Sequence, residues 1–124
     1  MVSVTKLAKI NNPKGDLYKI FRSSSEDQEI CEVYFSEIKS GEQKGWKSHE
    51  HMDCLILVVQ GTVEFSFKYD ENIEKKLISS DDYYLLTIPK NTWFAFKGCD
   101  SGTSRIINFA NTWHNSDPGI SVPI

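Results

Sequence analysis

Hydrophobic and polar positions along the chain fall into short runs separated by turn residues. In Thr62–Tyr69 (TVEFSFKY), Val63, Phe65, Phe67 and Tyr69 alternate with Glu64, Ser66 and Lys68. A period of two predicts a strand with one buried and one wet face. Runs rich in Val, Ile, Phe and Tyr recur at Asp16–Arg22 (DLYKIFR), Ile30–Ile38 (ICEVYFSEI), Leu55–Val59 (LILVV), Lys75–Ser79 (KKLIS), Tyr83–Pro89 (YYLLTIP), Thr92–Lys97 (TWFAFK) and Ser104–Ala110 (SRIINFA). Gly, Pro, Asn and Ser clusters bound them, as strands require. No segment carries the spacing of a three-turn amphipathic helix. The pattern predicts an all-β chain of about eight to ten short antiparallel strands, in a sandwich or barrel.

Two strands raise a question of covering. Leu55–Val59 is apolar on both faces. One face can line an interior, and the other needs cover from a second sheet or another subunit. The second source predicts a homodimer; a central strand of a closed sandwich answers the need equally well. In Ile30–Ile38, Glu32 and Tyr34 share one face, and Cys31, Val33 and Phe35 share the other. With the apolar face taken as core, Tyr34 points outward or toward a rim.

Composition narrows the class. A chain of 124 residues, 40% hydrophobic and 12% aromatic, is long and apolar enough for one folded domain, taken as residues 1–124. A net charge of −3 gives no electrostatic reason to bind nucleic acid or an anionic membrane. Neither a signal-peptide segment nor an apolar run of membrane-spanning length is present. The 3 cysteines (Cys31, Cys54 and Cys99) form no paired framework. Free thiols in a reducing cytoplasm are the expectation.

The candidate chemistry sits in Gly45–Phe67, where His49-Glu50-His51 precedes an apolar strand and Gly61. A paired histidine before a strand and a glycine resembles the first cupin motif, G-x5-H-x-H-x3–4-E-x6-G. Anchored on Gly41 and Gly61, the four-residue spacing places the ligand slots at Lys47, His49 and Cys54. The second motif, G-x5-P-x-G-x2-H-x3-N, anchors on Pro89. It turns Pro-x-Gly into Pro89-Lys90-Asn91 and puts Phe94 in the histidine slot. Asn is a fair substitute where the backbone needs positive φ. Lys repels a divalent cation and Phe has no lone pair, so no metal or other cofactor is expected in the pocket. A zinc site of His49, His51 and Cys54 is the remaining metal reading. In this register His51 falls in the hairpin at the barrel mouth.

Further stretches, LYKI, CEVYFSEIKSGEQKGWKSH and YYLLTIPKNTWFAFKG to SRIINFANTWHNSDPG, resemble a particular cupin group. These are the small relatives of dTDP-4-dehydrorhamnose 3,5-epimerase, including the sugar 3,4-ketoisomerases. The resemblance implies a jelly-roll barrel, usually dimeric, acting on nucleotide-linked keto-sugars without metal. Lys47 then stands where the epimerases carry their base, and His49 matches the second His of the ketoisomerases' Gly-x-His-x-His. Asn108 falls where the epimerases have an acidic Tyr. An Asp to pair with the base has no counterpart. Trp93 occupies a turn position common in the group.

The expected function is therefore a nucleotide-sugar epimerase or isomerase. It would act on a dTDP- or UDP-linked 4-keto sugar by metal-independent proton transfer, in polysaccharide biosynthesis. His49 and Lys47 are the catalytic candidates, two residues apart and so on one face of a strand. Asn108, Trp93, Cys54 and His51 are substrate-binding candidates. His114 reads as a surface-loop residue. Two other readings stay open: a non-catalytic sugar- or nucleotide-binding cupin, and a metal-dependent small cupin enzyme.

Overall fold

The computed structural model of the chain describes residues 2–20, 29–112 and 119–122. Its strands are β1 (Ser3–Lys6), β2 (Lys9–Ile10), β3 (Leu17–Tyr18), β4 (Glu32–Ile38), β5 (Gln43–Ser48), β6 (Cys54–Gln60), β7 (Thr62–Tyr69), β8 (Asn72–Ser79), β9 (Tyr84–Ile88), β10 (Trp93–Gly98), β11 (Ser104–Ala110) and β12 (Ile120–Ser121). There is no helix among the described residues. One five-stranded sheet runs β1-β9-β6-β11-β4 and the other β12-β5-β10-β7-β8, while β2 and β3 pair as a separate hairpin. All the strand pairs are antiparallel. The two large sheets form a jelly-roll sandwich. No ladder between described strands closes them into a continuous barrel.

Alternation builds the core. Val63, Phe65 and Phe67 of β7 are fully buried and join Ile56, Val58, Leu86, Ile88 and Ile106 in one cluster. Each such side chain removed from water contributes roughly 1.5–3 kcal/mol. The doubly apolar β6 divides as expected. Cys54, Ile56 and Val58 turn inward. On the other face Leu57 is buried but Val59 is exposed.

Two expectations need correction. The predicted strand over Asp16–Arg22 contracts to Leu17–Tyr18, and its last two residues lie outside the described ones. In β4 the polar face, not the apolar one, turns inward. Glu32, Tyr34 and Ser36 are half-buried and Ile38 is fully buried, whereas Val33 and Phe35 are exposed. Tyr34 therefore faces the interior. Ile38 shares its parity and anchors that face to the core.

Candidate active site

β5 lies between β10 and the short β12. Its register with β10 slips by one residue: Phe94 opposes Lys47, but Ala95 opposes Gly45. Trp46 is the extra residue of a β-bulge. Beyond the bulge, Phe96 opposes Lys44. Phe94 and Phe96 share the inward face of β10, and a cross-strand partner shares its neighbour's face. Lys44 and Lys47, three residues apart, would point to opposite faces of a regular strand. The bulge puts both on the cavity side, Lys47 half-buried and Lys44 at the exposed rim. Gly45 permits it, with φ at 105°. A Cβ there would stand 2.7 Å from the Phe94 carbonyl oxygen and 2.8 Å from the Ala95 Cα.

The result is a cavity of about 400 Å³ between the sheets. Lys44, Lys47, His49, Tyr34, Ser36, Asn108, Phe94 and Ser121 are among its lining residues, and among the described residues no Asp or Glu is. His49 is buried, with its ring centroid 6.2 Å from that of Phe94. Its backbone is held by the turn opposite, where the Asn91 N–H donates to the His49 carbonyl at 2.6 Å. Asn91 has φ 63°, the conformation that the Pro-x-Gly pattern predicts. Asp53 secures the same rim. It accepts from the Lys90 N–H at 2.8 Å and from Asn111 Nδ2 at 3.0 Å, and its own N–H donates to Asn111 Oδ1 at 2.9 Å.

β12 crosses the other side of the site as a strap. Ile120 pairs with Ser48 and Ser121 with Lys47, and the Val122 N–H donates to the Trp46 carbonyl at 2.9 Å. Gly119 leads into the strap at φ 88°. A Cβ on it would lie 3.0 Å from Lys47 Cε and 3.1 Å from His49 Cε1. The lysine stem and the imidazole are thus neighbours beneath one glycine.

The opposite wall comes from β4 and β11. Asn108 is buried, and its Nδ2 donates to the Tyr34 hydroxyl at 2.9 Å. Burial raises the Tyr34 pKa above its ordinary value. The Asn108 hydrogen bond partly offsets this, and Cys54 and Glu32 raise it further. Tyr34 therefore stays a neutral O–H donor at physiological pH. Lys44 Nζ donates to Ser36 Oγ at 3.1 Å.

The structure brings Lys47, His49 and Asn108 to one cavity, and does not bring the other sequence candidates there. Trp93 precedes Phe94, so alternation sends it outward to a separate cleft with Trp46, Lys68 and Asp70. Cys54 points inward but is packed in the apolar core. His51 stands exposed in the loop after His49, 3.9 Å from Glu50. Among the described residues no three His, Cys, Asp or Glu side chains gather where they could hold a metal ion, and His49, His51 and Cys54 are dispersed. His114 lies outside the described residues. Tyr34, Lys44 and Gly119 were not singled out from the sequence as site residues. For Tyr34 the signal was present: it shares parity with Ile38, the residue that commits β4 to the core.

A jelly-roll sandwich of two antiparallel sheets is the architecture that cupins share with other all-β proteins. The chain belongs to the family described as FdtA: WxcM-like, C-terminal, whose model matches residues 1–120. No curated protein matches the sequence. Among solved structures, the chain is similar to a dTDP sugar isomerase of Desulfovibrio desulfuricans G20, at 22% identity and TM-score 0.84, over 98% of this chain and 83% of that one. It is similar to the WlaRB TDP-quinovose 3,4-ketoisomerase of Campylobacter jejuni, at 19% identity and TM-score 0.83, over 98% and 92%. It also resembles the dTDP-6-deoxy-D-glucose-3,5-epimerase RmlC of Legionella pneumophila in complex with dTDP-4-keto-L-rhamnose, at 12% identity and TM-score 0.77, over 98% and 78%. At these identities the likeness is one of fold.

Proposed function

We propose that the chain is a nucleotide-sugar isomerase or epimerase that moves protons next to the ketone of a dTDP- or UDP-linked 4-keto sugar. The observation that carries this reading is the convergence of Lys47, His49 and Tyr34 on one cavity. Proton transfer beside a ketone needs a base, an acid and positive charge or a donor at the carbonyl. His49 is the base. Lys47, its neighbour, brings positive charge to the carbonyl. Tyr34, kept neutral by burial, returns the proton from the opposite wall, and Asn108 orients its hydroxyl. Two lysines and no carboxylate among the described lining residues favour a ligand with a diphosphate. No step in this scheme requires a metal ion.

The protein works as a homodimer in the cytoplasm, supplying a sugar for polysaccharide biosynthesis. The exposed Val33 and Phe35 on the outer face of β4 support the dimer.

The test is incubation with dTDP- and UDP-linked 4-keto-6-deoxyhexoses in heavy water. Deuterium at a carbon next to the ketone, lost in His49→Ala, is the expected result. Saturable binding without deuterium uptake would leave a binding module, and no binding would end the reading.

A further inference from the structure

The cavity holds two amines in different circumstances. Lys44 Nζ is engaged by Ser36 Oγ. The Lys47 side chain makes no hydrogen bond or ion pair with any described residue, and among the described residues no carboxylate lines the cavity to hold it as a salt bridge. Its Cε and the His49 Cε1 both lie about 3 Å from a single point above Gly119, at 3.0 and 3.1 Å. A carbonyl carbon within reach of that amine has its neighbouring C–H bonds near the imidazole. A nucleophilic nitrogen beside a base is the arrangement that imine chemistry uses.

We propose that Lys47 condenses with the ketone of the bound sugar to form an imine, and that this restricts turnover to epimerisation beside the ketone. The inference rests on the nucleotide-sugar reading above. His49 first takes a proton from the Lys47 ammonium, and the nitrogen lone pair so freed adds to the carbonyl carbon, giving a carbinolamine once a further nitrogen proton has passed to the oxygen. The C–O bond then breaks and oxygen leaves as water, its proton supplied by His49. The resulting iminium draws the electron pair of a neighbouring C–H bond as His49 removes that proton, and an enamine forms. Reprotonation by the Tyr34 hydroxyl inverts the carbon, and the proton held by His49 returns to the Tyr34 phenolate through solvent. Water then adds to the iminium carbon and restores both the ketone and the free lysine. Atoms and electrons balance without an oxidant or cofactor.

Keto migration does not fit this route. If the enamine at C4 collapsed to a C3 ketone, the nitrogen would remain on C4 as a secondary amine and the enzyme would be trapped. An imine at Lys47 therefore selects epimerisation over 3,4-keto transfer, and a single imidazole suffices because the iminium supplies the electron sink.

The test is reductive trapping. The full chain is incubated with a dTDP-linked 4-keto-6-deoxyhexose and cyanoborohydride and analysed by intact mass. The expected result is a mass gain of one ligand less one oxygen atom, mapped to the peptide containing Lys47 and absent in Lys47→Arg, which keeps the charge but cannot condense. The trapping itself uses the wild-type chain, so it does not depend on the variant folding. Calorimetric binding of the probe without an adduct, an adduct on Lys44, or a turnover product with its ketone at C3 would overturn the imine while leaving the nucleotide-sugar reading in place. Absence of binding would overturn both.

Discussion

The side-chain amide of Asn108 donates to the hydroxyl of Tyr34 across the β11–β4 ladder, at 2.9 Å, with both residues lining the cavity. An amide donor stabilises a developing phenolate, while burial resists it. The pair is thus an acid held neutral but oriented for donation. Tyr34→Phe should lower inversion at the carbon by about 100-fold or more, the usual scale of a lost acid, while deuterium exchange through His49 persists and the far-ultraviolet spectrum is unchanged. Asn108→Leu should raise the Tyr34 pKa further, because it deletes the one influence that lowers it. Ultraviolet titration of the tyrosines reads this directly.

The same burial makes stability depend on alkaline pH. Folding raises the Tyr34 pKa above 10.0, so the native state favours the neutral phenol. That contribution is complete below about pH 10 and is lost as pH rises through the raised value. Tyr83 is raised as well, by burial and then by Tyr18. Denaturant midpoints should therefore fall above about pH 10, and Tyr34→Phe should remove part of that fall. An unchanged slope in the variant would contradict the assigned direction.

Gly119→Ala tests the strap. The added methyl meets Lys47 Cε, Ser48 O and His49 Cε1 at 3.0 to 3.1 Å, on a backbone at φ 88°. The strap or its neighbours must give by a few tenths of an ångström, and the backbone conformation is strained for any residue with a Cβ. Since β12 is a two-residue edge strand, the cost to folding should stay within about 1–3 kcal/mol. Ligand affinity should fall by about tenfold or more, equivalent to about 1.4 kcal/mol. Calorimetry alongside thermal melting separates the two effects.

Much of this arrangement was legible in the chain. Period-two alternation located β7, and Asn91 announced its positive φ. The spacing of Lys47 and His49 indicated a shared face. The parity of β4 was misread because Val33 and Phe35 look like core in one sequence, whereas their outward position makes sense only for a face awaiting cover. The placing of Lys44 at the cavity rim was not legible at all. It depends on the bulge at Trp46, which arises from pairing with a strand about fifty residues away. A glycine within a strand hints at a bulge but does not fix its register. Trp93 was misassigned to the pocket for a related reason: a turn position common in the family did not determine which face of β10 it would take.

Asp53 joins three segments that are distant in sequence: the loop carrying His51, the Pro89–Asn91 turn and the end of β11. Asp53→Ala leaves the Lys90 N–H and Asn111 Nδ2 without their acceptor. The expected loss is about 1–3 kcal/mol of stability, seen as a lower denaturant midpoint with an unchanged slope. Because the same rim positions His49 through Asn91, exchange should fall more than binding. Equal losses would mean that the rim acts only on folding.

The outer face of β4 gives the last prediction. Val33 is 49% exposed and Phe35 63%. Cross-strand pairing sets Val33 beside Phe109 and Phe35 beside Ile107, and these in turn lie beside Leu55 and the already buried Leu57 of β6. Such a contiguous apolar sheet face needs cover. In a two-fold symmetric contact each side chain is buried twice, once from either copy. At roughly 1.5–3 kcal/mol for each burial, Phe35→Glu should weaken self-association by about 100-fold or more. Sedimentation should find the wild type dimeric and Phe35→Glu monomeric, with the monomer still folded because Phe35 does not belong to the core. A wild type that stays monomeric at micromolar concentration would refute the dimer. The apolar face of β4 would then have to be covered by something other than a second copy.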